Sequence, residues 1–412
     1  MNTRRSIDWQ TILIGIILAY PFTDLIIRDV LHVPVLSSLW DELALLLLLL
    51  AVGVRWLIRS DERRSPVGRA IGTVMLIALI WVALDTDNMG TAIEGYRAVY
   101  EYMLVFFAAF FLLRDKRQLQ TFLVVLTVVG TIMALHGVFQ FVTGVPTPGS
   151  WTDASESIRA RAFSIVGSPN ALGSQLAFTV PIALALAWRE QRWIWRLLWL
   201  AAAGVSVLGL LLTFSRGAWL AMAGAFFLLG LIWDRRILIG MIAMVLLVGT
   251  LVQPVRERVT YLFSEQYIEK SQNDGRIARW LDAYDQMRDE PVFGQGLGRY
   301  GGAVAERRYG TTYVDNYYMK TLAETGLFGL GLFLWLQGLA VWQMIQVWRR
   351  ESNMDGKVFL SGLLAAVIAL LLHNGVENIF EIPYLNLYYW VTVGWLLAWP
   401  YLPDRSKEGS EA

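Results

Sequence analysis

Apolar runs of about twenty residues recur twelve times along this chain, at roughly 10–28, 35–57, 66–84, 95–113, 118–143, 169–188, 194–213, 215–233, 236–252, 326–348, 357–377 and 384–401. Coiled as an α-helix, a run of that length matches the ~30 Å hydrocarbon core of a bilayer. In lipid every backbone N–H and C=O must be satisfied within the protein, which leaves helices or a closed strand barrel. The barrel is excluded, because its strands alternate apolar and polar residues over about ten positions. With 56% hydrophobic and 17% charged residues and a mean hydropathy of +0.48, the composition lies outside the range of a soluble chain of 412 residues. The expected fold is therefore all-α and polytopic, with about twelve transmembrane helices. Cysteine is absent, so disulfide and thiolate chemistry are unavailable, and His32, His136 and His373 are too scattered to form a metal-ligand set. Arg4 and Arg5 precede the first apolar run and no small-residue cleavage site follows it, as in a retained signal anchor.

Twelve spans put both termini on one side. If that side is the cytoplasm, the inner segments carry twenty Lys and Arg residues, against five in the short outer segments (Arg28, Arg97, Arg159, Arg161 and Arg216). This asymmetry predicts cytoplasmic termini. The one long polar interval, 253–325, then faces outward between a block of nine spans (1–252) and a block of three (326–412). Chemistry in water is expected there, since Val252 to Glu324 holds ten of the Lys and Arg residues. A net charge of +1 gives no footprint for nucleic acid, and membrane lipids are the only partner that composition implies.

Local patterns sharpen the candidates. Ser168-Pro169-Asn170 reads as a helix start with a serine cap, and the Arg161 just before it is a second cation for an anionic head group. Thr213-Phe214-Ser215-Arg216-Gly217 leaves room only for a tight turn, so Arg216 falls in the first turn of a helix at the outer interface. A helix N-terminus offers free N–H groups, and a guanidinium adds a fork that two phosphate oxygens can share; an interfacial arginine can equally snorkel to lipid phosphates. Charged pairs predict a short helix over 255–263 in the loop, and a clearer one over 274–289. Asp274 is its expected cap, Ile277, Trp280, Tyr284 and Met287 its apolar stripe, and Pro291 its stop. Arg276 and Trp280 share a face with Arg279 beside them, a pattern suited to a phosphosugar or to an interfacial anchor. FGQGLGRYGG (293–302) has neither the preceding strand nor the Lys-Ser/Thr pair of a nucleotide loop and reads as a tight turn. Asp315 or Asn316 can cap the following helix, and Gly326, Gly329 and Gly331 suit close helix packing. Asp85-Thr86-Asp87 has the spacing of a paired-aspartate metal site but equally that of a solvated loop. Arg97 has Glu94 and Glu101 within one turn, and Glu377 and Glu381 mark another acidic outer loop.

In order and spacing, Arg161 to Asn170, Ser-Arg-Gly-Ala at 215–218, Gly275-Arg276 with Trp280, Gly294 to Gly298, and Asn316 to Gly329 resemble the O-antigen ligases and O-antigen or exopolysaccharide polymerases, a family of membrane glycosyltransferases. The resemblance implies an enzyme that moves a glycan from an undecaprenyl-diphosphate donor to a sugar hydroxyl or a lipid-core acceptor. It needs no cofactor and works on the outer face of the cytoplasmic membrane; a chain-length regulator is a candidate partner. Carried over, Arg216 and Arg276 hold the diphosphate, with Arg161 a further substrate contact; on that reading Asp315 is the expected base, and Arg279, Trp280, Asn316 and Glu324 are expected to bind substrate. Ligases of the family place a His-Asn pair where this chain has Asp315-Asn316, which tilts the reading toward polymerase. A twelve-span transporter is the rival from another class, but no internal repeat is visible and the long loop follows span nine, not span six.

Overall fold

The computed structural model describes residues 9–32, 34–58, 63–148, 160–251, 253–261, 263–273 and 275–403, so that Arg159 and the expected cap Asp274 lie outside the described residues. Among these residues all regular structure is helical, as a polytopic membrane protein requires. The first interval holds α1 (Trp9–Leu18) and α2 (Tyr20–Leu25), which runs on as a π-helical turn, Ile26–Val30. The two are bent by 82° where a straight span is expected. Pro21 explains the bend, since a proline early in a helix lacks an N–H and crowds the carbonyl four residues back. The Thr23 hydroxyl donates to the Ile16 carbonyl (3.1 Å) across the break.

Next come α3 (Pro34–Ile58), α4 (Pro66–Leu84), α5 (Met89–Tyr100) continuing through a 3₁₀ turn into α6 (Val105–Leu112), α7 (Lys116–Val142), α8 (Pro169–Arg189), α9 (Trp193–Leu212), α10 (Arg216–Ile232) and α11 (Arg235–Leu251). The loop carries α12 (Gln253–Tyr261), α13 (Glu265–Asn273), α14 (Arg276–Asp289) and α15 (Ala303–Tyr309) before α16 (Tyr317–Arg350), α17 (Met354–His373) and α18 (Pro383–Ala398). Every expected interval thus holds a helix, and among the described residues seven helices, or eight counting the bent pair as one span, have the length and apolarity to cross a membrane. Helices α10 and α11 have 17 residues and α18 has 16. At 1.5 Å per residue these reach about 25 Å, short of the ~30 Å core.

α8 is the centre of the bundle, packed against α7, α9, α10 and α17. Lipid tails are as apolar as leucine, so helices associate through close fit, and glycines set the distances here. A Cβ on Gly173 would meet Ala218 of α10 at 2.8 Å, and one on Gly362 of α17 would meet Ala185 of α8 at 2.6 Å. Ser168 caps α8 by accepting from Ala171 N (3.2 Å), with Pro169 in the first turn, as its sequence indicates. α11 packs mainly on its chain neighbours α10 and α12 and turns most of its described length outward.

Two features of the loop differ from expectation. α14 packs on α16 through Trp280, Ala283 and Met287, while Ile277 and Tyr284 are exposed. Positions 280, 283 and 287 span about 60° of the helix surface, and this face, which keeps Trp280 and Met287 of the expected stripe, is rotated from it by roughly 50°. Of the three glycines expected to pack α16, Gly326 is a break in the helix (φ 65°, ψ −168°), Gly329 lies against Thr325 and Trp81, and Gly331 has nothing near it.

Candidate functional site

At one end of the bundle the N-termini of α8, α10, α14, α15 and α18 converge on a cavity of about 1560 Å³, lined by Ser168, Ser215, Gly275, Ala303 and Ile382 among others. Five helix starts turn partial positive charge toward one space, an environment that favours an anion, with Ser168 and Glu381 already accepting from Ala171 N and Ala303 N. Arg161, Arg216, Arg276 and Arg279 all line it, as do Asp315 and Glu377.

Each arginine is held by its local fold. Arg161 is buried; its backbone N–H donates to Thr147 Oγ1 (2.7 Å), and its Nε donates to the Thr213 carbonyl (2.8 Å). With Ala162 N donating to Leu212 O (2.9 Å), it ties the segment before α8 to the α9–α10 turn. That turn is sharp enough to put Phe214 at φ 51°, so that Arg216 becomes the first residue of α10. The Arg216 guanidinium lies over the rings of Tyr267 (4.9 Å) and Tyr261 (5.9 Å). Arg276 opens α14 with its Nε 3.8 Å from Asp315 Oδ2, and Arg279, one turn on, donates to the same oxygen at 2.8 Å.

Asp315 is pinned from both sides. Val314 N donates to Gly301 O (3.1 Å), and Tyr317 N donates to Asn374 O (2.8 Å). Asp315 itself adopts φ 52°, a left-handed conformation that aspartate tolerates better than most residues. The cap of α16 is Asn316, whose Oδ1 accepts from Tyr318 N (3.0 Å) and Met319 N (3.2 Å). The Asp315 carboxylate is therefore committed to arginines, not to the helix start.

The α17–α18 connection supplies a second carboxyl. Glu377 accepts a hydrogen bond from the Asn170 amide at the start of α8 and a longer one from Asn378 N (3.4 Å). Burial, with the Asp315 charge adding to it and Arg276 opposing it, pushes its carboxyl up to about 7. In the sequence Glu377 is visible only as an acidic loop residue. The signal was His373-Asn374-Gly375-Val376-Glu377-Asn378, a polar cluster between two of the most apolar helices.

Other sequence candidates sit elsewhere. Trp280 packs with Ala283, Val314 and Ala323 under the loop and does not line the cavity. Glu324 is buried in α16, paired with Lys320 (2.5 Å), which also reaches Glu381 (3.3 Å). Glu381 lines the cavity and accepts from Ala303 N (3.1 Å), so this buried network fixes the start of α15. Asp85 is paired with Arg299, and no group of three potential metal ligands occurs among the described residues. Arg97 bonds Glu101 (3.3 Å) and Glu42, whereas Glu94 binds Arg307 (2.6 Å) and Arg308, docking α15 onto α5.

Residues 201–334 match the O-antigen ligase family model. The match takes in Arg216, α12 to α15, Asp315 and α16 as far as Leu334, and leaves out Arg161, Asn170 and Glu377. No curated protein matches the chain. Together with the apolar helices, the family match supports an integral membrane protein of the O-antigen ligase or polymerase type, acting on a lipid-linked glycan and an acceptor.

Proposed function

We propose that this chain is a membrane glycosyltransferase that moves a glycan from an undecaprenyl-diphosphate donor to a sugar hydroxyl on the outer face of the cytoplasmic membrane, as an O-antigen or exopolysaccharide polymerase. The observation that carries the reading is five arginines, Arg28, Arg161, Arg216, Arg276 and Arg279, lining one cavity that carboxyls, Asp315 and Glu377 among them, also line. The acceptor hydroxyl oxygen attacks the anomeric carbon of the donor as its proton passes to Glu377. The bond from that carbon to the phosphate oxygen breaks, and its electron pair leaves with the lipid diphosphate. Attack opposite the leaving group inverts the anomeric centre. Charge grows on the diphosphate in the transition state, where arginine forks fixed before reaction stabilise it most, a task for which no metal is required. Asp315 orients Arg276 and Arg279 and raises the basicity of Glu377, so the base assigned to Asp315 from sequence becomes a pair with the proton on Glu377.

Ligation to a lipid-core acceptor is the second reading, favoured by the description of the matching family model. The test reconstitutes the protein with an undecaprenyl-diphosphate repeat unit, alone or with lipid A-core. A ladder of longer lipid-linked glycans without added core supports polymerase; product formed only with core supports ligase. No transfer under either condition, with intact donor recovered, overturns both. The twelve-span topology with the cavity facing outward belongs to the same proposal and rests on the charge asymmetry of the short loops.

A further inference from the structure

The reaction above leaves one wall of the cavity without a task. α13, a polar helix of nine residues, lines the cavity through Tyr267, Lys270 and Ser271, at spacings of three and four residues and so on one helix face. Tyr261, from the end of α12, joins them, its ring packed edge-on to Tyr267 at 5.6 Å. This wall is anchored to both phosphate-facing helix starts. Arg216 of α10 lies over the two rings. Ser271 is buried beside Gly275, where an added Cβ would come within 2.6 Å of the Ser271 Cα, so α13 sits close against the start of α14 at Arg276.

A guanidinium over aromatic rings carries five N–H donors, more than one partner uses, and can offer a fork to phosphate oxygens. The sugar of a lipid-diphosphate donor is bonded directly to that phosphate through one oxygen. Whatever binds the Arg216 fork therefore carries its first sugar against the surface next to Arg216, which is the tyrosine pair. Aromatic faces are electron-rich and attract the polarised C–H face of a pyranose, while an ammonium beside them donates to hydroxyl or acyl oxygens.

We propose that Tyr261, Tyr267 and Lys270 form the subsite for the first sugar of the donor, the residue bonded to the diphosphate, and thereby determine which glycan is accepted. This deepens the lipid-diphosphate reading and depends on it. The experiment measures binding of two ligands to the full-length reconstituted protein: undecaprenyl diphosphate, and the same lipid diphosphate bearing a repeat unit. Tyr261→Leu and Lys270→Met should each weaken the glycosylated ligand about tenfold more than the sugar-free ligand, the scale of one aromatic or polar contact. Tyr261→Phe, which keeps the ring, should stay within about twofold of the native protein for both. Equal weakening of both ligands, or of neither, would overturn the subsite. If instead the native protein binds neither ligand in an Arg216-dependent way, the lipid-diphosphate reading fails and the subsite falls with it.

Discussion

Replacing Glu377 by Gln separates chemistry from folding more cleanly than any other change in the cavity. Gln keeps the carbonyl oxygen that accepts from Asn170 and fills the same space, but it cannot take a proton. With the carboxyl pushed up to about 7, the deprotonated fraction at pH 6 is about one in eleven and at pH 8 about ten in eleven. Single-turnover transfer by the native protein should therefore rise about tenfold between these values and level off above. Glu377→Gln should lose this limb and fall roughly 10²- to 10⁴-fold, the usual cost of a lost general base. Stability should move the other way. The folded-state pKa lies above the ordinary value of 4.5, so the native state holds the extra proton and stability falls as pH rises from about 4.5 to 7. A shift of that size corresponds to about 3 kcal/mol at 1.36 kcal/mol per pH unit. Glu377→Gln should thus melt higher than the native protein in detergent at pH 8 and level with it near pH 4. A Gln variant that turns over at the native rate with the same pH limb would refute the assignment and return the base to Asp315.

Arg216→Lys and Arg276→Lys should each cost roughly 10²-fold in transfer, about 3 kcal/mol, because an ammonium cannot reproduce the fork; a fully active Arg216→Lys protein would reduce that residue to a lipid anchor. Asp315→Asn should fold, since Asn tolerates the left-handed backbone at φ 52°, and removal of the charge that raises Glu377 should move the activity limb to lower pH; a limb unmoved or moved upward contradicts the pairing. Cysteines introduced at Ser60, Asn273 and Ser352 of this cysteine-free chain, treated in intact cells with a membrane-impermeant thiol reagent, should label at Asn273 alone. Labelling at Ser60 or Ser352 instead would invert the topology.

Where the sequence was readable, the cause was a signal confined to one element. Apolar length alone marked the membrane helices, and Ser168-Pro169 and Thr213 to Arg216 fixed two helix starts within a residue. Arg216, Arg276 and Arg279 could be named because each stands at or near such a start. The remainder depends on partners far along the chain. Glu377 gains its character from Asn170, 207 positions away, and from burial that no local pattern encodes. α13, EQYIEKSQN, is only nine residues long and polar on average, and α15 is seven residues long. The bend at Ala19 was carried by Pro21, read over as part of an apolar run.

The break at Gly326 shows why the loop and the membrane bundle form a single device. α16 serves the site as far as Thr325 and becomes a membrane helix from Leu327 onward. At the break, Leu327 N donates to Pro291 O (2.9 Å) and Phe328 N to Val292 O (3.2 Å), while Gln295 N and Gly296 N donate to Ala323 O and Glu324 O (2.9 Å each). Backbone groups left unpaired in a low-dielectric surrounding cost several kcal/mol each, so the 291–296 segment is required where it is. α14, with Arg276 and Arg279, ends two residues before that segment, and Asp315 lies just ahead of α16. The arginines and the carboxylate they grip are thus referenced to one point. Gly326→Ala tests this, because a Cβ there would sit 2.4 Å from the Val292 carbonyl and the backbone is at φ 65°. The variant should lower the melting temperature and abolish transfer while Arg216, on a different helix, still supports lipid-diphosphate binding. Normal transfer by Gly326→Ala would mean that the break is incidental to the site.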